Sequence, residues 1–445
     1  MEKRPLFLVL LLGLASLMPA YSQQPDIWPW PYPSYDESGY HFLPVGGWNS
    51  PAYLPPDSLA MGETYLAVRN STAGFLNPAS LSFLSSPQLS LSYRYTENRI
   101  KTASWPSYRE VPVQWEPFET RSFRRKTDIL DSAGLVLPFE NWVLAANYFL
   151  FQEYNLPDIK GPYWDYPVPM AEPDIWFGFP RTISQSGRMK GLNVAFSHRL
   201  TESISLGASV SYVFGDIDRV EESPEVYILQ PEDGGDGTIP FSPEYPYTVQ
   251  KTSYDAKGVF YNLGFTWEPS REIVLGLSLR PPFSLDIQTD REFTDSSGLR
   301  SSYSQDNYFR HPLVAVASVL FRPRKSFHLA ADLSYWGWGE FSTDIDPGWF
   351  GSYNFKSVVK LNLGAEYWID LPFDALEALA LRAGFIYDPQ PYPADLRIAR
   401  DYATLGFSLP AGRLDLNFAA KLALSNREKN RFHSDVLQVG AGYRF

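Results

Sequence analysis

Residues Arg413–Ser425 read RLDLNFAAKLALS. Leu414, Leu416, Phe418, Ala420, Leu422 and Leu424 fall on one side of an extended chain, and Asp415, Asn417, Lys421 and Ser425 fall on the other. Side chains alternate faces along a strand, so this period of two describes a strand that is greasy on one face and polar on the other. Three neighbours repeat it. Val359, Leu361, Leu363, Ala365 and Tyr367 oppose Lys360, Asn362 and Glu366. Leu379, Leu381, Ala383, Phe385 and Tyr387 oppose Arg382 and Asp388, and Phe327, Leu329, Ala331, Leu333 and Tyr335 oppose His328, Asp332 and Ser334.

Working outward, the same pattern predicts fourteen strands, near 87–97, 127–138, 141–153, 188–200, 203–217, 255–267, 271–286, 309–321, 325–338, 356–369, 378–389, 400–410, 412–425 and 434–445. Short connections alternate with long ones, the long ones near 98–126, 154–187, 218–254, 287–308, 339–355, 390–399 and 426–433. An even strand count with short turns on one side and long loops on the other describes an antiparallel transmembrane β-barrel of the bacterial outer membrane. A soluble sandwich also alternates. Against it stand strands longer than the usual globular five or six residues and rings gathered at strand ends, such as Tyr93, Tyr95, Trp142, Trp267, Trp336, Trp338 and Trp368. The closing strand, with Leu437, Val439, Ala441, Tyr443 and Phe445 on one face, also has the form of a barrel-assembly signal, carried by Tyr443 and Phe445.

The remaining composition narrows the chemistry. The chain has 445 residues and no Cys, which excludes disulfides, thiol nucleophiles and Cys-ligated metals. A net charge of −12 argues against a nucleic-acid partner. Residues 1–22, with Glu2-Lys3-Arg4 before the apolar run Leu6–Met18 and the small residues Ala20 and Ser22, read as a secretory signal peptide. Residues 23–43 are rich in Pro and aromatics (Trp28-Pro29-Trp30-Pro31-Tyr32-Pro33), suiting either a spacer or a strap that docks its rings. Fourteen strands enclose more space than eight, whose side chains fill the lumen. Residues 44–86 lack alternation and precede the first strand, so they are expected to plug residues 87–445.

Ser58-Leu59-Ala60-Met61-Gly62, Tyr65-Leu66-Ala67-Val68 and Leu76-Asn77-Pro78-Ala79-Ser80-Leu81 resemble the N-terminal hatch of the FadL-like long-chain fatty acid and hydrophobic-compound transporters. The run Leu381 to Pro391, then Leu405-Gly406-Phe407-Ser408 and Gly440-Ala441-Gly442-Tyr443-Arg444-Phe445, resembles that family's late strands. The resemblance implies a monomeric barrel in outer-membrane lipid and lipopolysaccharide, folded by the barrel assembly machinery. It implies passive uptake of a small hydrophobic ligand past a hatch that includes Met61, Gly62, Asn77, Pro78 and Ala79, with no cofactor. Two departures stand out: Arg69-Asn70-Ser71-Thr72 replaces the family's paired acids, and the segment after Pro391 lacks its Pro-Asp-x-Asp-Arg block. The same barrel also resembles PorV-type proteins, which handle secreted cargo, so a surface or secretion component that binds protein cargo is the alternative.

Catalytic and metal chemistry find no anchor. The five His are scattered, and neither a Gly-x-Ser-x-Gly elbow nor a phosphate loop occurs. His328 and Ser334 share an inward face, the one arrangement compatible with a lipid hydrolase. Inward Arg94, Lys360 and Arg382 are ligand-path candidates, although such charges more often pair with one another or hold a plug. Trp176 and Phe177 are candidates for hydrophobic capture from an outer loop. The acids Glu221, Glu222, Glu225, Glu232, Asp233, Asp236 and Glu244 are expected in a solvated loop.

Overall fold

The computed structural model describes residues 44, 47–49, 54–104, 119–163, 176–223, 227–229, 248–295, 297–345, 354–373, 376–392, 399–424 and 432–445. The expected signal peptide 1–22, the Pro/aromatic segment 23–43 and the acids Glu225, Glu232, Asp233, Asp236 and Glu244 lie outside these. The described strands form one antiparallel sheet closed on itself. Its fourteen staves are Gln88–Ser104, Glu119–Pro138, Trp142–Glu153, Trp176–Arg199, Ile204–Ser223, Thr248–Trp267, Ile273–Arg280 with Phe283–Thr294, Arg300–His311 with Val314–Arg324, Phe327–Trp336, Val358–Phe373, Leu376–Pro389, Ala399–Ala411, Leu414–Ala423 and Phe432–Arg444. The first stave pairs with the last, Leu89 opposite Tyr443 and Leu91 opposite Ala441, which closes the barrel.

Alternation is what the exposure follows. Leu405, Leu437 and Val439 point outward and are exposed, whereas Thr404, Val436 and Gln438 point inward and are buried. The outer face is apolar because lipid meets it, and the inner face is polar where it meets other polar groups.

Two expected strands are each broken in the structure. The expected 271–286 strand stops at Arg280 and resumes at Phe283, and the expected 309–321 strand is interrupted between His311 and Val314. Pro281, Pro282 and Pro312 carry no N–H for the ladder. The two gaps lie side by side, since Phe283 pairs with His311 and Arg280 with Val314. Several staves also run well past the expected ends, to 24 residues in Trp176–Arg199. Trp176 and Phe177 therefore lie on strand backbone opposite Leu229 and Ile228, and not in a capture loop. Glu221 likewise belongs to a stave, and its carboxylate is buried against the Arg219 guanidinium at 2.6 Å, so it is no solvated loop acid.

Candidate functional site

Residues 54–86 run across the inner faces of the staves as short helical turns: Pro56–Ala60, Tyr65–Ala67, Ala73–Leu76 and Pro78–Phe83. Proline opens the first, at a position where its missing N–H costs nothing. Asn77 opens the last: its Oδ1 accepts from the Ala79 N–H at 3.2 Å, with Pro78 next in line. Asn-Pro-Ala is thus a helix N-cap followed by a preset first residue.

Two three-residue pieces of this segment lie directly on glycines of the wall. Beneath Asn77-Pro78-Ala79 are Gly207 and Gly264, which face each other across two staves. A Cβ on Gly207 would sit 2.4 Å from the Ala79 nitrogen, and one on Gly264 would sit 2.3 Å from Asn77 Oδ1. Beneath Ala60-Met61-Gly62 are Gly364 and Gly384, again directly paired. Their Cβ atoms would meet the Met61 oxygen at 2.4 Å and the Gly62 nitrogen at 2.2 Å. Only glycine permits this approach of backbone to backbone. Gly62 itself has φ of +69°, and a side chain there would strike the Leu363 carbonyl.

Polar contacts then divide the segment. Around Asn77 they involve no ion pair: Asn262 Nδ2 donates to the Phe75 carbonyl at 2.5 Å, Ser197 Oγ to Ala79 at 3.1 Å, Asn77 Nδ2 to the Phe265 carbonyl at 3.3 Å, and the Arg199 guanidinium to the Ser82 carbonyl. Around Gly62 they are ionic. Glu63, with φ of +66°, points its carboxylate at Lys360 Nζ (2.6 Å) and Lys421 Nζ (2.8 Å), all three buried. Burial would raise the Glu63 carboxyl, but Lys360 and then Lys421 outweigh it and hold it at about 2. Arg69 reaches Glu366 at 2.7 Å, where Arg382 binds the other carboxylate oxygen at 2.7 Å and His328 Nδ1 lies 2.8 Å away. The Tyr65 N–H donates to Asp332 at 2.7 Å.

The sequence-derived candidates now have positions. Met61 is buried with Leu66, Val274, Leu320 and Ala330. Lys360 and Arg382 hold the carboxylates just described, and Arg94 is paired with Asp131 at 2.9 Å. His328 is engaged with Glu366, six residues along its strand from Ser334. Tyr443 and Phe445 stand on the outer face with ring centroids 5.2 Å apart. Sequence reasoning missed Glu63 and the paired glycines. The glycines had left a signal, because they occupy inward positions of otherwise alternating strands.

Above Asn77 a file of aromatic rings fills the lumen. Phe75 touches Phe149 (4.8 Å between centroids), Phe149 and Phe151 reach Phe260 (6.4 and 5.6 Å), and Phe260 meets Phe283 at 5.0 Å. Phe283 stacks on His311 at 4.7 Å, His311 adjoins Phe309 at 5.2 Å, and Phe309 stacks on Trp48 at 5.8 Å. At the short-turn end lies a cavity of about 430 Å³, lined in part by Asp57, Arg69, Phe83, Trp368, Arg382 and Arg444. The N-terminal segment lies between the rings and this cavity.

Residues 183–402 match the family described as outer membrane protein transport protein (OMPP1/FadL/TodX). The match lies within the barrel, apart from the N-terminal segment. Among solved structures, a Pseudomonas aeruginosa FadL homologue is similar at TM-score 0.61 and 15% identity, over 90% of this chain and 99% of that one. The Ralstonia pickettii toluene transporter TbuX is similar at TM-score 0.57 and 15% identity, over 88% and 98%. The P. putida toluene transporter TodX follows at 0.56 and 17%, over 88% and 98%. No curated protein matches the chain. At these identities the structures speak to fold alone: the chain has the fold of a FadL-like β-barrel, and residues 183–402, just under half of it, match the OMPP1/FadL/TodX family.

Proposed function

We propose that this protein carries small hydrophobic molecules, long-chain fatty acids or aromatic hydrocarbons among them, passively across the outer membrane, with residues 54–86 as the gate. The observation that carries this reading is the unbroken file of rings from Trp48 to Phe75, ending on the segment that separates it from the short-turn cavity. Rings in file offer a greasy solute a succession of equivalent contacts with little gain from water at any step. The OMPP1/FadL/TodX match and the toluene transporters among similar structures lend support. The protein works in this reading as a single barrel without cofactor or enzymatic step. It is placed by the barrel assembly machinery and surrounded by lipid and lipopolysaccharide.

The test is uptake of radiolabelled toluene and oleate by a bacterial host that lacks its own hydrophobic channel and expresses this chain. Uptake above background, altered by Asn77→Ala with the barrel still folded, is the expected result. Background uptake through a folded barrel that co-purifies with a stoichiometric exported protein would replace this reading with that of a secretion component.

A further inference from the structure

Trp48 is seated as a ligand would be. Its indole is buried, stacked on Phe309 at an interplanar angle of 6°, and held edge-on by Trp338 (5.6 Å) and Phe355 (4.9 Å). Its Nε1 donates to Tyr392 Oη at 2.9 Å, and its backbone N–H donates to Gln390 at 3.0 Å. Next to it, Asn49 donates to Asp388 at 2.9 Å and accepts from Trp338 Nε1 at 2.7 Å.

One polar atom beside the seat has no such use. His311 is 2% exposed, its ring is 5.2 Å from Phe309 and 6.1 Å from Trp338, and its Nε2 is buried without a hydrogen-bond partner. A buried polar group left unsatisfied destabilises the fold, so the chain's own indole satisfies the rings and leaves a hydrogen-bonding position open.

We propose that the Phe309–Trp338–Phe355 cage with His311 and Tyr392 is a binding site for a flat aromatic molecule bearing one hydroxyl, filled in this state by Trp48. The molecule takes the place of the indole between the rings and gives its hydroxyl to His311 Nε2, which can accept or donate according to tautomer. Binding therefore expels Trp48 and frees the Gly47–Asn49 turn. The inference rests on the uptake reading for the purpose of the ligand, and not for the existence of the seat.

The experiment uses the full chain in mild detergent, with p-cresol as probe and toluene as the same ring without the hydroxyl. Hydrogen exchange around Trp48 rises on adding p-cresol, and p-cresol binds about tenfold more tightly than toluene. His311→Phe keeps a ring in place and brings the two affinities together. Because the chain has no Cys, a disulfide between Asn49→Cys and Asp388→Cys can hold the turn down: the oxidised protein loses p-cresol binding and reductant restores it. Bound p-cresol with unchanged exchange at Trp48, no preference over toluene, or undiminished binding by the locked protein would overturn the proposal. If the double variant fails to fold, the exchange measurement on the unaltered chain still decides. Displacement of Trp48 in a protein that takes up neither toluene nor oleate would overturn the transport reading and leave this site standing.

Discussion

The N-terminal segment is fastened to the wall in two ways. Its Met61-Gly62-Glu63 end sits on paired glycines and is then held by charge, with Glu63 between Lys360 and Lys421 and Arg69 on Glu366. Its Asn77-Pro78-Ala79 end sits on an equivalent glycine pair and is held by neutral hydrogen bonds together with one from the Arg199 guanidinium to the Ser82 carbonyl, with no ion pair among them. Close approach is common to both ends, so the difference lies in what release costs. Separating buried ions leaves charges in a poor solvent, while parting amides from hydroxyls exposes groups that water readily satisfies. The ion-paired end is therefore expected to be the costlier to release, and the Asn77 end, nearest the file of rings, the less costly.

That contrast can be broken at four points. The largest effect is expected from Lys360→Met with Lys421→Met, which strands the Glu63 carboxylate. About 3–5 kcal/mol should be lost, read as a lower urea midpoint for release of the segment in detergent. An unmoved midpoint would mean that the glycine beds alone hold it. Next, Gly264→Val drives a side chain into Asn77 and Ala79, at a cost of about 1–3 kcal/mol. Hydrogen exchange should rise over 73–83 and stay unchanged over 58–66; equal rises would show one unit where two are described.

Acid sharpens the contrast further. The Glu63 carboxyl is held at about 2 against an ordinary 4.5, so its contribution is complete above about pH 4.5 and is lost as pH falls toward 2. The urea midpoint should fall over that window, and less steeply in Glu63→Gln; identical slopes would remove Glu63 from the account. Smallest of all, Asn77→Ala deletes an N-cap worth about 1 kcal/mol. Exchange at Ala79 and Ser80 should rise, with Asn77→Asp recovering most of the protection.

Much of the barrel was legible because each wall residue has one of two neighbours, lipid or lumen, and period two follows from that division. Legibility failed where the division lapses. Beyond the bilayer, Asp216, Asp218, Arg219 and Glu221 carry charge into both faces, so the stave Ile204–Ser223 reads as a loop past 217. The Pro281-Pro282 break was visible as residues, yet apolar alternation on either side carried the expected strand across it. At the site, Asn77-Pro78-Ala79 and Met61-Gly62 stood out by resemblance. Glu63 did not, since nothing near it in the chain marks a carboxylate whose partners lie 297 and 358 residues away.

Those separations have a consequence in time. Glu63 leaves the ribosome long before either lysine exists, and the seam between Gln88–Ser104 and Phe432–Arg444 is the final pairing available to the sheet. A vessel cannot be packed after its last stave is in place. The segment must already lie within the curving sheet when that seam zips. Each Glu63 ion pair therefore waits for a lysine that enters the chain 297 or 358 residues later.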